Sequence, residues 1–422
     1  AIFICSMQAY TKGLPGIFWF TAPNILCFFV FTLIAIRLRR LIPNGYSFPD
    51  FIAEKRFPNQ KRTHLAYLAV YFGYQLGAIV INSLAGGSLL YAISGLNIQL
   101  AIVLFAAIPL AYTLGTGLKA SIITDAIQML MVLGITFVLV PWCLIESGGL
   151  NSVSQGVGGI DGTHSSLFDP WIAFAIGIPM TLGLISGPIG DQMFFQRAMA
   201  TDERNIAKTF IYGALLFSIV PILLSLLGFI AVPLVQQGLI QIQDPQIVGL
   251  EVITYLLPKV AVYAFTFMAF AGLLSTIDSS MVAISSLATV DIYRRYLNPG
   301  ATDAALLKFS RLSMIGLTAL GSGIALLQPK LLWVFLIYGA LASAGFFPIV
   351  LSLYWKKLSA RGAFWAISLS LLIGTPLSIY ANVKEDPYLI VLAAVLSVTI
   401  GLIICVASAM GYLKDESVSV ET

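Results

Sequence analysis

The chain has 422 residues, 59% of them hydrophobic and 10% charged, with a mean hydropathy of +0.93. Soluble domains carry roughly 25% charged residues, so a soluble class is excluded and an integral membrane protein in a lipid bilayer is expected. The net charge of +4 says little by itself and implies no nucleic-acid partner; its distribution says more.

The first residues, AIFICSMQAY, read as a partial span that meets the polar stretch YTKGLPG too soon to cross a bilayer as a helix. Residue 1 is not methionine, so a missing N-terminal segment is expected; no signal-peptide n-region or cleavage site is visible. Runs of about 20 apolar residues then predict spans at 23–41, 65–93, 98–117, 122–145, 171–196, 206–234, 252–288, 305–327, 331–354, 363–381 and 387–410. Cys5, Cys27, Cys143 and Cys405 fall inside apolar runs without CxxC spacing. They read as small core residues rather than disulfides or a metal site.

Across the alternating loops, Arg37, Arg39, Arg40, Lys55, Arg56, Lys61, Arg62, Lys119, Arg197, Arg204, Lys208, Arg294, Arg295, Lys308, Arg311, Lys356, Lys357, Arg361 and Lys414 share one side. Only Lys12, Lys259, Lys330 and Lys384 lie on the other. The positive-inside rule makes the richer side cytoplasmic, with the C-terminus inside. The glycines of LAGGSLLYAISG lack the Lys-Ser/Thr of a phosphate loop and suit helix packing. HExxH, GxSxG and CxxC are absent, and the two histidines, His64 and His164, fall in loops. No enzyme is expected, and no cofactor; transport is the default.

Three carboxylates stand inside spans: Asp125, Asp191 and Asp278. Such groups mark ion or substrate pathways, or pair with a neighbouring base. Ser275, Asp278 and Ser279 are at i, i+3 and i+4 and share a helix face, flanked by Thr276 and Ser280. Oxygen ligands of this kind suit a hard cation such as sodium; the alternative is hydroxyls joining helices around a protonated Asp278. Asp125 is either an ion ligand or a helix-start carboxylate favoured by the dipole. Asp191 follows Gly187, Pro188 and Gly190, which should break or kink the helix as transporters do at mid-membrane; the alternative is that it only partners Arg197 or another inner-side base.

The stretch LLSTIDSSMVAISSLATVDIYRR resembles the eighth core helix of the sodium:solute symporter family (solute carrier 5-like). YTLGTGLKASIITDAIQ resembles the fifth core helix, GDQMFFQRAMATDERN the exit of the sixth, and SFPDFIAEKRF the inner loop after the second. The motifs keep the family's order and cover nearly the whole chain. The resemblance implies an all-α membrane protein, a leucine-transporter-like 5+5 inverted-repeat bundle with two extra C-terminal helices. It would form one transporter domain: 1–146 as a partial first repeat, 169–355 as the second and 362–412 as peripheral helices. The family has a helix and a half ahead of residue 1 here, including two backbone carbonyls that hold sodium.

Residue by residue, the resemblance implies a sodium site at the hydroxyls of Ser275 and Thr276 and the carbonyl of Gly272. A second cation site would combine Asp125 with Ser279 and Asp278, the last standing where many relatives have a small or hydroxyl residue. Substrate contacts would fall on Gln8, Tyr10, Gln75, Asn82, Ser186, Gly187, Asp191, Gln192 and Tyr338. Gln75 and Asn82 are seven apart and share a face, which suits either a polar cavity or helix-helix hydrogen bonding. The expected function is a sodium-coupled secondary active symporter importing a small polar organic solute by alternating access. It would work as a monomer in a plasma or bacterial inner membrane and hold no metal beyond sodium. The alternatives are a proton-coupled symporter of the same fold or a transporter-like sensor, although GYLKDESVSVET offers only a short acidic tail.

Overall fold

The computed structural model describes residues 2–43, 45–413 and 415, and residues 116–120 as backbone only. The side chain of Lys119, Lys414 and most of the acidic tail therefore lie outside the described residues. Among the described residues the chain is helical without strands, and eleven helical segments are long and apolar enough to span a membrane.

In chain order the helices are α1 (Ile2–Leu41), α2 (Phe48–Phe51), α3 (Lys61–Ser94), α4 (Ile98–Glu146), α5 (Leu150–Gly156), α6 (Pro170–Ile172), α7 (Ile178–Ser186) and α8 (Gln192–Ala200). They continue as α9 (Ile206–Gln236), α10 (Val248–Leu256), α11 (Lys259–Ser286), α12 (Asp303–Ala325), α13 (Leu331–Tyr354), α14 (Ala360–Leu369), α15 (Thr375–Lys384) and α16 (Pro387–Ala409). α4 carries two spans, Ile98–Gly115 and Ser121–Glu146. α11 runs on as a π-helix over Leu287–Leu297.

Two expectations from hydropathy change. The polar stretch after residue 10 is not a loop: α1 passes through it with one non-helical residue, Gly13, at φ 62. A Cβ there would lie 2.5 Å from the carbonyl oxygens of Val157 and His164, so glycine is needed both for the positive φ and for the close approach of the 157–164 segment. Leu14 N donates to Val157 O at 2.9 Å and ties that segment to the kink. The predicted span 252–288 is two elements, because the chain turns at Leu257 and Pro258 between α10 and α11. Proline lacks the N–H that would continue α10.

The remaining boundaries are set by caps. Asn97, Thr302, Ser359 and Asp386 accept from backbone N–H groups at the starts of α4, α12, α14 and α16, satisfying donors that have no partner inside the helix. The interior forms two apolar clusters. One, mostly aliphatic, gathers around Leu227, Ile253, Met268 and Ile277; the other, rich in aromatic rings, holds Phe31, Phe48, Tyr67, Tyr71 and Phe195. The second lies at the end of the bundle where Arg56 donates to the carbonyls of Trp355, Lys356 and Leu358 and Arg40 pairs with Glu203. At the opposite end Lys330 pairs with Glu385. The polar groups considered next lie between these ends.

Candidate functional site

Asp278 is fully buried on α11, and its carboxylate accepts from three hydroxyls. Tyr112 Oη donates to Oδ2 at 2.8 Å, while Ser279 and Ser121 donate to Oδ1 at 3.2 and 3.4 Å. Asp125, on the second span of α4, accepts from Ser275, and from Ser279 at 3.2 Å. It also forms an ion pair with Arg197 of α8. The same guanidinium donates to Ser279 Oγ at 2.9 Å. Ser279 thus accepts from Arg197 and has one proton to divide between the two carboxylates, which makes it the link between them. The helical spacing of Ser275, Asp278 and Ser279 sends all three toward α4, and packing supplies the rest.

Thr276 is directed differently. Its hydroxyl donates to the carbonyl of Gly272 at 3.1 Å, one turn back. A Cβ on Gly272 would lie 2.9 Å from the Ile2 side chain, so the first turn of α1 packs directly on this stretch of α11. Of the residues the sequence grouped as one sodium site, Gly272 packs on the start of α1 and Thr276 bonds back to Gly272, whereas Ser275 belongs to the carboxylate cluster. Adjacent positions on a helix point about 100° apart, which separates them.

The second polar region surrounds the break between α7 and α8. Gly187–Ile189 forms a 3-10 turn, and Asp191 then caps α8 by accepting from Met193 N at 2.7 Å. Gln75 of α3 donates to the same Asp191 oxygen at 2.6 Å. Asp191 therefore does not pair with Arg197, whose carboxylate partner is Asp125. A Cβ on Gly187 would lie 2.7 Å from the Tyr74 hydroxyl, and Tyr74 stacks on Tyr338 at 4.2 Å with a 2.7 Å bond between their hydroxyls. Beside them is a cavity of about 20 Å³ lined by Tyr74, Met180, Gly183, Phe335, Tyr338 and Gly339 among others, room for roughly one water. Gly183 and Gly339 bring α7 and α13 into backbone contact there: a Cβ on either would lie 3.0 to 3.2 Å from the other's Cα.

Among the predicted substrate contacts, Gln75, Gly187, Asp191 and Tyr338 meet at this break. Ser186 lies beside them, accepting from Ser343 of α13 at 3.2 Å. Asn82 does not join them: its amide donates to Ala78 O of its own helix. Gln192 turns toward the basic end and donates to Tyr46 O at 2.9 Å. Tyr10 sits near the kink of α1, where its carbonyl accepts from Ile160 N. Gln8 is buried with its Nε2 unpartnered, and Gln75 keeps an unpartnered Oε1. Sequence reasoning did not place Tyr74, Tyr112, Ser121 or Arg197 in these sites. Arg197 was visible as the base nearest Asp191, but its true partner is 72 positions away.

The described residues thus form a helical bundle of membrane-spanning length with a broken helix, buried carboxylates beside it and a small aromatic cavity. The family model "Sodium:solute symporter family" matches residues 4–370, and the chain belongs to that family. The urea-proton symporter DUR3 of Oryza sativa subsp. japonica is 25% identical over 85% of this chain and 54% of its own length. The sodium/pantothenate symporter of Haemophilus influenzae is 25% identical over 75% of this chain and 66% of its own length. The chain thus spans about half the length of its first curated relatives. A Na+-coupled sialic acid symporter, solved in a substrate-bound outward-open state, superposes with a TM-score of 0.70 at 18% identity, covering 97% of this chain and 89% of that one. The fold is leucine-transporter-like, a 5+5 helix bundle with two further C-terminal helices.

Proposed function

We propose that the chain forms the transport pathway of a secondary active symporter that moves a small polar organic solute by alternating access, with sodium as the coupling ion. The observation that carries this reading is the carboxylate cluster. Asp125 and Asp278 bring two carboxylates and Ser121, Ser275 and Ser279 three hydroxyls, against one fixed cation, Arg197. Among the described residues one negative charge is left for a monovalent cation, whose hydration shell the surrounding oxygens would replace. Thr276 and Gly272 next to the start of α1 offer the coordination of a first sodium.

Asp278 also supports a second reading. A carboxylate held by three hydroxyl donors serves equally as a proton carrier, and the rice relative is named a urea-proton symporter. The solute site is assigned to the break between α7 and α8. There Asp191 and the free Gln75 Oε1 provide acceptors, and the Tyr74–Tyr338 stack an apolar wall. This favours a small neutral or zwitterionic solute rather than a carboxylate, since the base identified nearest this region, Arg197, is engaged elsewhere.

The two repeats are proposed at 1–146 and 169–355, in a plasma or bacterial inner membrane with the basic end cytoplasmic. The test is uptake by the full-length protein in proteoliposomes, under a sodium or a proton gradient, against a panel of urea, pantothenate, proline and glucose. Accumulation that needs the sodium gradient supports the reading; dependence on the proton gradient alone moves the coupling to Asp278. Binding without accumulation under either gradient overturns symport.

A further inference from the structure

A third buried polar network lies at the basic end and is separate from the sites above. His64 was expected in a loop, but it stands in the first turn of α3 with only 1% of its surface exposed. Both ring nitrogens are engaged: Nδ1 with Tyr296 Oη at 2.7 Å and Nε2 with Asp291 Oδ1 at 3.2 Å. Asp291, equally buried on the π-helical end of α11, accepts through Oδ2 from Ser47 Oγ at 2.9 Å. Ser47 in turn caps α2 by accepting from Asp50 N. Asp50 accepts from Arg295 at 2.6 Å, and Glu54 from the same guanidinium at 3.3 Å.

These bonds pin the connecting segment 45–57 to α3 and α11. The other side of that segment holds the broken helix: Tyr46 O accepts from Gln192, and the Phe48 ring packs 5.7 Å from Phe195, both on α8. The segment therefore lies between α8 on one side and α3 and α11 on the other, and adds to the direct bonds between them at this end. The charged and titratable groups facing the network are Asp50 and Glu54 on the segment, Lys61 and Tyr71 on α3, the Lys61 ammonium sitting 4.9 Å over the Tyr296 ring, and Asp291, Arg295 and Tyr296 on α11. In the buried interior of the network, Asp50 and Asp291 supply a pair of carboxylates against a single guanidinium.

We propose that segment 45–57 is a proton-operated latch, closed when the His64–Asp291–Asp50 network takes up a proton and loosened when it gives one up. The geometry sets the direction, because Asp50, Asp291 and Glu54 crowd around one guanidinium, and a proton on Asp50 relieves their mutual repulsion. Burial, with Asp291 and Glu54 adding to it, pushes the Asp50 carboxyl up to about 6 against the opposing Tyr46 N–H and Arg295. An acid raised in the latched state binds its proton more firmly there than when exposed. The latch is then tightest below the ordinary aspartate range, near 4, and weakens as pH rises through about 6. Acidification at the basic end would hold the pathway shut there. This goes beyond the symport reading and depends on neither the solute nor the coupling ion.

The test uses the full-length protein in lipid nanodiscs, without solute or gradient, with nitroxide labels at Lys55→Cys and Asn298→Cys. Both positions are exposed, and the four cysteines of this sequence are buried. The expected result is one short distance at pH 5 and a second, longer population that grows about tenfold by pH 8 with its midpoint near 6. His64→Gln keeps a hydrogen-bonding side chain beside Asp291 and Tyr296, so the short distance at pH 5 should persist. Asp50→Asn mimics the protonated acid and should keep the short distance at pH 8. Identical distributions at pH 5 and 8 in the wild type overturn the latch. So does a long distance at every pH in Asp50→Asn, which would mark a purely structural ion pair. Because transport is not measured, neither result bears on the symport assignment.

Discussion

The carboxylate cluster of α4, α8 and α11 and the broken-helix region of α3, α7 and α13 differ in how completely they satisfy themselves. In the first, both carboxylates are bonded, and the protein's own guanidinium stands among the oxygens. In the second, Gln75 Oε1 and, on α1, Gln8 Nε2 are buried without partners, and glycines replace side chains at the contacts. A buried polar group without a partner costs about 1–3 kcal/mol, so in the proposed solute site these two groups are the ones a solute's own donors and acceptors would satisfy. In the first, an incoming cation must compete with Arg197 or neutralise Asp278, and the buried acceptor left over is Gln128 Oε1 beside Tyr112.

Removing Asp125 should break that contrast most strongly, because it leaves Arg197 without its carboxylate. Asp125→Ala is expected to cost about 2–3 kcal/mol in thermal unfolding. That is below the roughly 3–5 of a fully buried pair, since 34% of the Arg197 side chain is exposed. Arg197→Met in the same background should recover most of the loss, and no recovery would show that the pair is not the source.

Next comes the glycine contact beside the cavity. Gly183→Ala puts a methyl 3.2 Å from the Gly339 Cα, where backbone cannot yield cheaply, at a cost of about 1–3 kcal/mol. The same change should weaken solute binding about tenfold with little change in cation affinity. Equal weakening of both in calorimetry would argue against two separate regions.

A smaller effect is expected from Ser275→Ala combined with Thr276→Ala. Both remove oxygen ligands and preserve helix propensity, so the sodium concentration for half-maximal uptake should rise about tenfold, equivalent to about 1.4 kcal/mol. Separate single mutants sharpen the test: Thr276→Ala reports the site near α1, and Ser275→Ala the carboxylate cluster.

Asp278→Asn should disturb stability least, by under about 1 kcal/mol, because the amide fills the same volume. Its effect is on coupling. If Asp278 carries a cation or proton, the reversal potential of transport will lose its dependence on one of the two gradients. Unchanged slopes in a folded Asp278→Asn protein would leave Asp278 a packing residue.

Much of this was legible in the chain. Apolar runs of bilayer length set most of the spans, because a helix in lipid must satisfy its backbone internally and cover itself with apolar side chains. Gly187, Pro188 and Gly190 announced the broken helix, and the i, i+3, i+4 spacing of Ser275, Asp278 and Ser279 announced a polar face. These are local signals, carried by residues within a few turns of one another. Pairing across the bundle was not legible. Arg197 reaches Asp125 rather than nearby Asp191, and Tyr112 reaches Asp278, 166 positions on. His64 is drawn from an expected loop into contact with Asp291, and Gly13 carries α1 through a polar stretch because a distant segment packs on it. Periodicity fixes which face of a helix is polar, but the partner that face meets depends on how separate helices dock, and only the assembled bundle decides that.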